Sequence, residues 1–314
     1  MKKKKQHKIP ICYLENFTDD DGKLHVLDLK NKKIFETKPE NILTDNHFYT
    51  IKFPQGGGSL VVENTLEKIE SKYTTIFHNK IKRIKPLDIE EKALMSVFVA
   101  AIYLRTEAFR KSIETPFGKI EEFIKKIENL SKEEKKTLAS IPSLPPSGPT
   151  ISGEEFKKVA KDIPSFHSTS IVEMLPEVSN IIFNMKWGFL ISENKENCFI
   201  SSDDPCVLMN VPAIKKYGIN TFGSSPGLLQ DNVDLSLPLS SQISLLAGWK
   251  LKKEAYISVP SKMIYQINLR VMMHAREKII ARSDKKLKEI FSILKKSSKK
   301  ITILNNFKFF GFIG

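Results

Sequence analysis

Five titratable or charged side chains in this chain are of the types that acid-base or metal-assisted chemistry uses. They are His7, Glu63, Glu70, Arg105 and Asp203. A histidine titrates near neutrality and suits a general base or a metal ligand. Carboxylates hold divalent cations, and a guanidinium offsets negative charge in a transition state. Apart from the two glutamates, these residues are far apart in sequence, so the fold must assemble any site.

Glu63 and Glu70 lie in a segment with the apolar periodicity of a helix. At about 100° per residue they are about 20° apart on the edge of the apolar stripe, whereas Glu67 points away. Two carboxylates on one edge can hold a cation such as Mg²⁺ or Mn²⁺, or can differ in pKa for acid-base catalysis. The alternative is that they pair with lysines on the helix flank, where Lys68 and Lys72 are available.

Arg105 follows Phe98 by seven residues on the apolar side of its predicted helix and should therefore be buried. A buried guanidinium needs an anionic partner, because leaving it unpaired is costly. The candidate partners are Glu63, Glu70, Asp203 and a substrate phosphate. The alternative to a catalytic role for Arg105 is a structural salt bridge.

Asp203 directly follows a predicted strand over residues 198–201, on a turn set by Pro205. Because rigid strand ends often present catalytic side chains, Asp203 is a candidate catalytic carboxylate and a third metal ligand. The alternative is turn chemistry, in which the carboxylate accepts backbone N–H groups. His7 is the candidate general base. Its segment, residues 6–17, is rich in apolar side chains, which predicts that it is ordered and substantially buried.

Several familiar kinds of site are excluded. The sequence has no His-Glu-x-x-His motif, no Gly-x-Ser-x-Gly elbow and no protein-kinase signature. Its three cysteines lack Cys-x-x-Cys spacing, so we expect them to be reduced and mostly buried. No run of about eighteen apolar residues is present, so we expect no membrane span. The lysine-rich start lacks the apolar core of a signal peptide, so we expect a cytoplasmic location.

The secondary-structure patterns predict an α+β fold, with a helix-rich N-terminal half that contains a β-hairpin. The hairpin is expected at 23–37, and helices are expected at 62–77, from Asp88 to about Ser112, and at 119–140, 153–161, 168–183, 260–276 and 284–297. Strand patterns at 187–191, 198–201, 233–237 and 243–248 predict a mixed or antiparallel sheet with packed helices in the C-terminal half, and a second hairpin is expected at 301–310.

For domain organisation, we expect a single domain over residues 1–314 with a helical insertion at about 113–150. The proline-rich stretch at 142–149 is the clearest linker in the chain. It leaves an alternative division open, with a helical part at 1–141 and an α+β part at 150–314.

The net charge of +14 is unevenly distributed, since residues 250–308 contain 16 Lys and Arg against 4 Asp and Glu. The basic residues that we consider a candidate nucleic-acid contact are Lys285, Lys286, Lys295, Lys296, Lys299 and Lys300. Against this interpretation, the chain has 44 Lys and only 6 Arg, whereas phosphate recognition usually exploits arginine. The alternative is a solubilising lysine face that reflects compositional bias.

Short motifs along the chain resemble the family called domain of unknown function 4238. In chain order they are Gln-His-x-x-Pro-x-x-Tyr-Leu-x-x-Phe at 6–17, the paired-glutamate helix, Arg-Thr at 105–106, a strand element from Trp187 through Ser-Asp-Asp-Pro at 202–205, Leu-Pro-Leu-Ser at 237–240 and an Asn-helix element at 268–275. The chain departs from the family pattern at Asp204, where asparagine is usual, and at Leu237, where phenylalanine is usual. The family name supplies no activity.

Two hypotheses about function follow. The leading one is a metal-assisted hydrolase, nuclease-like or phosphoesterase-like, in which Glu63, Glu70 and Asp203 hold Mg²⁺ or Mn²⁺. In this enzyme His7 would handle a proton and Arg105 would offset charge. The competing hypothesis is a non-catalytic nucleic-acid-binding or defence-associated module, in which the same residues form a buried network. An enzyme requires these groups to converge on a solvent-reachable cleft.

Overall fold

In the computed structural model, the described residues are 5–46, 51–52, 58–59, 61–106, 109–110, 118, 122, 125–126, 129, 131–134, 163–194, 196–210, 212, 226–252 and 254–296. The predicted helix at 119–140 lies mostly outside them. The predicted helix at 153–161, the linker at 142–149, the second hairpin and the pair Lys299 and Lys300 lie wholly outside them.

The fold is α+β, as expected. Within the described residues, the helices are α1 (Ile11–Leu14), α2 (Val61–Asn79), α3 (Ile89–Leu104), α4 (Ile163–Asn184), α5 (Ser261–His274) and α6 (Asp284–Lys296). The strands are β1 (Lys5–His7), β2 (Leu24–Asp28), β3 (Lys33–Thr37), β4 (Thr44–Asn46), β5 (Ile51–Lys52), β6 (Gly58–Ser59), β7 (Lys186–Ile191), β8 (Ser201–Ser202), β9 (Val207–Met209), β10 (Asp234–Pro238), β11 (Ile243–Gly248), β12 (Ala255–Ser258) and β13 (Lys278–Ala281). Short 3-10 helices cover Glu15–Phe17, Pro39–Asn41 and Ile81–Arg83.

The predicted hairpin forms as β2 and β3 and belongs to a four-stranded antiparallel sheet with the order β3-β2-β13-β8. Its turn is closed by Asp28, which accepts the backbone N–H of Asn31 at 2.8 Å. Lys32 then adopts a left-handed backbone with φ of 54°. Because β13 comes from the C-terminal part of the chain, this sheet joins the two parts that the alternative division would separate.

The second sheet has five strands in the order β12-β7-β11-β10-β9. It is mixed, since β12 pairs with β7 in parallel and the other pairs are antiparallel. The central strand β11 is buried along its whole length, which explains its nearly continuous apolar sequence. The sequence analysis missed the short strands β1, β4, β5, β6, β9, β12 and β13, because runs of two to four residues contain too few positions to show a periodicity.

The predicted helices at 62–77, 168–183, 260–276 and 284–297 correspond to α2, α4, α5 and α6. α3 begins with the predicted capping box: Asp88 accepts the N–H of Glu91 at 2.8 Å, and the Glu91 carboxylate accepts the N–H of Asp88 at 3.0 Å. The far end of this helix was predicted wrongly, because α3 stops at Leu104 and not near Ser112. Just after this end, the Thr106 hydroxyl accepts the backbone N–H of Phe109 at 3.2 Å. This is the hydrogen bond of a helix N-cap, which starts a new turn and does not continue α3.

The strand predicted at 198–201 was also wrong in extent, since β8 contains only the two residues after Ile200. The reason lies in Asn268 on α5. Its Oδ1 accepts the N–H of Ile200 at 3.0 Å, and its Nδ2 donates to the carbonyl of Cys198 at 2.9 Å. One side-chain amide therefore satisfies the backbone groups that a neighbouring strand would otherwise bind.

The largest buried cluster joins α1, α2, α3 and α4 to the five-stranded sheet. It includes the N-terminal residues Ile9, Tyr13, Leu14 and Phe17, all of them fully buried. A smaller cluster lies between α6 and the four-stranded sheet. The N-terminal segment therefore belongs to the main core, and α6 covers one face of the four-stranded sheet.

Candidate functional site

The N-terminal segment is docked, as predicted. β1 pairs with β4, and the buried Gln6 donates from Nε2 to the Glu63 carboxylate at 3.1 Å. The Nε2 of His7 lies 3.2 Å from the backbone carbonyl of Glu40. A carbonyl only accepts, so Nε2 carries the proton in this contact. His7 and Glu63 therefore each contact a residue outside the predicted catalytic set. His7 contacts Glu40, and Glu63 contacts Gln6.

Glu70 and Arg105 form the contact that the sequence predicted. Nη1 of Arg105 donates to Oε1 of Glu70 at 2.9 Å, and its Nε donates to the carbonyl of Ala101 at 3.1 Å. The Arg105 side chain is 1% exposed and that of Glu70 is 23% exposed. Arg105 is the C-cap of α3, where a cation also interacts favourably with the helix dipole. The pair joins α2 to the end of α3.

Asp203 lies elsewhere, on the four-stranded sheet. Its carboxylate accepts the backbone N–H groups of Arg276, Glu277 and Lys278 at 2.9–3.3 Å. Burial raises the pKa of Asp203, and these N–H groups oppose that rise. Asp203 therefore accepts backbone N–H groups, as in the alternative to a catalytic role. The N–H groups come from residues 276–278, however, and not from the turn that contains Asp203.

The predicted metal ligands do not form a cluster. Within the described part of the chain, no three His, Cys, Asp or Glu side chains are grouped so that they could hold a metal ion. Glu63 and Glu70 do share one edge of α2, as the helical wheel predicted, and Glu67 is exposed. Asp203 does not join them, because its oxygens bind backbone N–H groups of another turn.

The neighbouring residue Asp204 is also buried and forms an ion pair with Arg276, with 3.8 Å between Oδ2 and Nε. Its backbone N–H donates to the hydroxyl of Ser202 at 3.1 Å. The two aspartates of the Ser-Asp-Asp-Pro motif therefore hold one exposed turn. Asp203 holds its backbone, and Asp204 holds the side chain of Arg276.

A polar network around Tyr13 was missed by the sequence analysis. The buried Tyr13 hydroxyl donates to the carbonyl of Pro238 at 2.7 Å and lies 3.0 Å from the hydroxyl of Ser201. Since its one proton goes to the carbonyl, Ser201 must donate to Tyr13. Asn16 donates to the hydroxyl of Tyr73 at 2.9 Å. The only signal in the sequence was the presence of Tyr13, Ser201 and Pro238 within three separate family motifs.

The cysteines fit the expectation of reduced thiols. All three are free, and Cys198 and Cys206 are buried. Burial raises the pKa of Cys12 to about 11, with a further contribution from the Glu70 carboxylate. Cys12 is therefore protonated at neutral pH and poorly suited to act as a nucleophile.

α6 has the amphipathic form that its sequence predicted. Leu287 and Ile290 are buried against the four-stranded sheet. Of the basic residues on this helix, Lys285, Lys288 and Lys295 are exposed. At about 100° per residue, these lysines lie about 80° to 160° from Leu287 and Ile290 around the helix axis, so they lie outside the face that packs on the sheet.

The fold and these contacts define an α+β protein with a docked N-terminal segment and an internal Glu-Arg pair. The family model for a protein of unknown function, DUF4238, matches residues 5–285. This span is most of the chain, so the protein belongs to that family. No curated protein and no solved structure matches the chain. Within the described residues, no helix is long and apolar enough to cross a membrane.

Proposed function

We propose that this protein is a non-catalytic nucleic-acid-binding module that uses α6 as its contact helix. The observation that carries the proposal is the orientation of this helix. Leu287 and Ile290 pack on the protein, whereas Lys285, Lys288 and Lys295 are exposed outside that buried face. Lysines placed in this way neutralise phosphates without reading the base sequence.

The ion pairs on α6 are weak competitors for a nucleic acid. Lys285 lies 3.2 Å from Glu196 and Lys288 lies 2.5 Å from Asp284, and three of these four side chains are largely exposed. Surface pairs of this kind contribute about 0 to 1 kcal/mol each. A polyanion with several phosphates in reach can therefore replace the two carboxylates.

The contacts of the residues that were predicted to be catalytic support the hypothesis of a non-catalytic protein. Glu70 is bound to Arg105 and Asp203 is bound to backbone N–H groups, on different elements of the fold. Each contact has a structural purpose that requires no substrate. The proposal includes the cytoplasmic location that the sequence led us to expect.

Metal-assisted hydrolysis is the second candidate. One observation favours it: the Glu70 carboxylate remains 23% exposed directly beside the buried guanidinium of Arg105. A partly solvated carboxylate next to a fixed cation is an arrangement that acid-base or metal chemistry can use. In this version Glu63 supplies the second carboxylate from the same edge of α2.

The test is a fluorescence-anisotropy titration of a labelled 20-base-pair DNA duplex with the full chain, at several salt concentrations. We expect affinity to fall steeply as salt rises, because binding releases counterions from the duplex. Reversing the three exposed lysines together (K285E, K288E and K295E) should weaken binding by about tenfold or more, equally for unrelated duplex sequences.

The matched control reverses three exposed lysines elsewhere, namely Lys82 and Lys85 between α2 and α3 and Lys262 at the start of α5. It changes the net charge equally and should weaken binding much less. Absence of binding at micromolar protein and low salt, or an equal loss in both variants, overturns the proposal. Incubation with Mg²⁺ or Mn²⁺ tests the second candidate, because a hydrolase shortens the labelled strand and a binding module leaves it intact.

A further inference from the structure

The lysines at the end of α6 lie close to another part of the sheet. Only Arg282 and Ser283 separate β13 from α6, and α6 contacts both β13 and β2, so the helix runs back along the sheet. A helix of 13 residues is about 20 Å long, whereas a strand of four residues is about 13 Å long. The helix is therefore long enough to extend to the end of the sheet at which β13 starts. Phe291 and Leu294 in its last turns pack against the same apolar cluster as Leu29 and Ala275, which lie at that end.

Two turns of the chain lie at this end of the sheet. Lys278 at the start of β13 is paired with Asp28 at the end of β2, and the N–H of Leu29 donates to the carbonyl of Glu277 at 2.9 Å. These contacts place the β2–β3 turn beside the turn that precedes β13. The C-terminal end of α6 is thus next to two exposed turns from distant parts of the sequence.

The β2–β3 turn is strongly basic. Lys30, Lys32 and Lys33 are all exposed, and within the described part of the chain none of them forms an ion pair. The one acidic residue of this turn, Asp28, is engaged by Asn31 and by Lys278. Three lysines therefore face solvent here without a nearby carboxylate bound to them.

The second turn contributes an arginine that is held from inside. The side chain of Arg276 is 36% exposed, and that of its partner Asp204 is 2% exposed. The Nε of the guanidinium lies 3.8 Å from Oδ2 of the aspartate, which is ion-pair distance and longer than a hydrogen bond. The other C-terminal arginines are more enclosed: Arg270 is bound to Asp234, and Arg282 is bound to Asp20 and to the carbonyl of Thr18.

We infer that Arg276 and the lysines of the β2–β3 turn extend the basic face of α6 into one surface that binds the phosphate backbone of a nucleic-acid duplex. This inference rests on the proposed function and specifies its ligand. In it, the Ser-Asp-Asp-Pro motif has a positioning role. Asp203 fixes the backbone of the turn, and Asp204 orients Arg276 so that its remaining N–H groups are presented to a phosphate.

Two features favour a duplex over a single strand. The described residues of this surface offer exposed cations and no exposed aromatic ring, whereas proteins that bind single strands stack bases on aromatic side chains. The ring of Phe291 is partly buried, with Nζ of Lys295 lying 4.3 Å from its centroid. Along about 20 Å of axis a duplex presents about 12 phosphate charges, enough to engage both α6 and the neighbouring turns.

The two turns contain one exposed acidic residue. Glu277 is the exposed acidic residue between Arg276 and Lys278. Asp28 lies in the β2–β3 turn, and Asp203 and Asp204 contact the turn before β13 from the segment after β8. Each of these three carboxylates is engaged within the protein. The exposed cations of this end therefore outnumber its exposed acids.

The experiment measures the slope of log K against log salt for a 20-base-pair duplex and the full chain. The slope is negative, and each phosphate contact contributes about 0.9 to its magnitude. Replacing Lys30, Lys32 and Lys33 together by Gln should reduce this magnitude by about 2 to 3, and Arg276→Ala should reduce it by about 1. Arg276→Lys should keep the slope but weaken binding, because lysine keeps the charge and loses the fork geometry.

Asp204→Asn tests the positioning role. It should weaken duplex binding as Arg276→Ala does, and adding Arg276→Ala to it should cause little further loss, whereas two unrelated effects would add. Thermal melting of each variant shows whether it folds. If Asp204→Asn does not fold, the Arg276 and turn-lysine variants still decide the inference.

The control replaces Lys82, Lys85 and Lys262 by Gln and should leave the slope nearly unchanged. If charge reversal on α6 reduces binding but the turn lysines and Arg276 have no effect, this inference is wrong and the proposed function stands. If no duplex binds to the unmodified protein, both are overturned. Tighter binding of a single strand than of a duplex, or binding of anionic lipid vesicles in place of nucleic acid, also overturns the inference.

Discussion

Charged side chains serve different purposes in the α2–α3 region and on α6. Between α2 and α3, the Arg105 side chain is almost completely buried, and the Glu70 carboxylate neutralises its charge. On α6, Lys285 and its partner Glu196 are 71% and 77% exposed, so water solvates both of them with or without the pair. The comparison teaches that a charged pair indicates a structural role when it is buried, and leaves its cation available for a ligand when it is exposed.

The largest effect should come from removing Glu70. Glu70→Gln removes the carboxylate that pairs with the buried Arg105 guanidinium, and we expect a loss of about 3 kcal/mol or more in the free energy of unfolding. Arg105→Met leaves Glu70, which is partly exposed and can be hydrated, so we expect a loss of about 1 kcal/mol. Urea unfolding followed by circular dichroism measures both.

The control for this pair is Glu173→Gln, which removes an exposed carboxylate from α4. It should change the free energy of unfolding by less than about 0.5 kcal/mol. If Arg105→Met costs as much as Glu70→Gln or more, the asymmetry of exposure does not govern this pair, and the comparison of the two regions fails.

A smaller effect should appear in the pH dependence of two aspartates. Hydrogen bonds from Asn31 hold the pKa of Asp28 below its ordinary value, so the stability that Asp28 contributes is present above that value and is lost as pH falls through the folded pKa. Burial raises the pKa of Asp203, so its contribution is greatest below the ordinary pKa and is lost as pH rises through the folded pKa.

Urea unfolding between about pH 3 and pH 7 measures this difference against Asp28→Asn and Asp203→Asn. The stability of the unmodified protein relative to Asp28→Asn should increase with pH. Its stability relative to Asp203→Asn should decrease with pH. Slopes of the same sign for both aspartates would show that the N–H groups around Asp203 outweigh its burial.

The smallest effect should come from Lys285. Lys285→Gln removes an exposed ion pair, and we expect the free energy of unfolding to change by less than about 0.5 kcal/mol. Lys278→Gln is the matched variant, because its pair with Asp28 is 24% and 15% exposed and should contribute more. Thermal melting at low and high salt measures both, and a large loss for Lys285→Gln would mean that α6 uses its lysines for stability.

The sequence predicted those features that depend on local periodicity. The helical wheel placed Glu63 and Glu70 on one edge of α2 and predicted that Arg105 is buried, and the capping box located the start of α3. These predictions use residues within two or three turns of one another, where the 3.6-residue period is informative.

Features set by distant contacts could not be predicted in the same way. Asp203 appeared to be a strand-end carboxylate for chemistry, yet its partners are the N–H groups of residues 276–278. Asn268 shortens β8 by binding the backbone of residues 198 and 200 from another helix. No period in the sequence encodes which distant backbone group a polar side chain will find.

The contacts of Tyr13 also set an order of events during synthesis. Its hydroxyl binds Ser201 and Pro238, which are 188 and 225 residues further along the chain. At about 5 to 20 residues per second, the ribosome needs about 10 to 45 s to add the second partner after Tyr13 has been made. The helix α1 is translated before the five-stranded sheet, so Tyr13 cannot make these contacts until β10 of that sheet has been made.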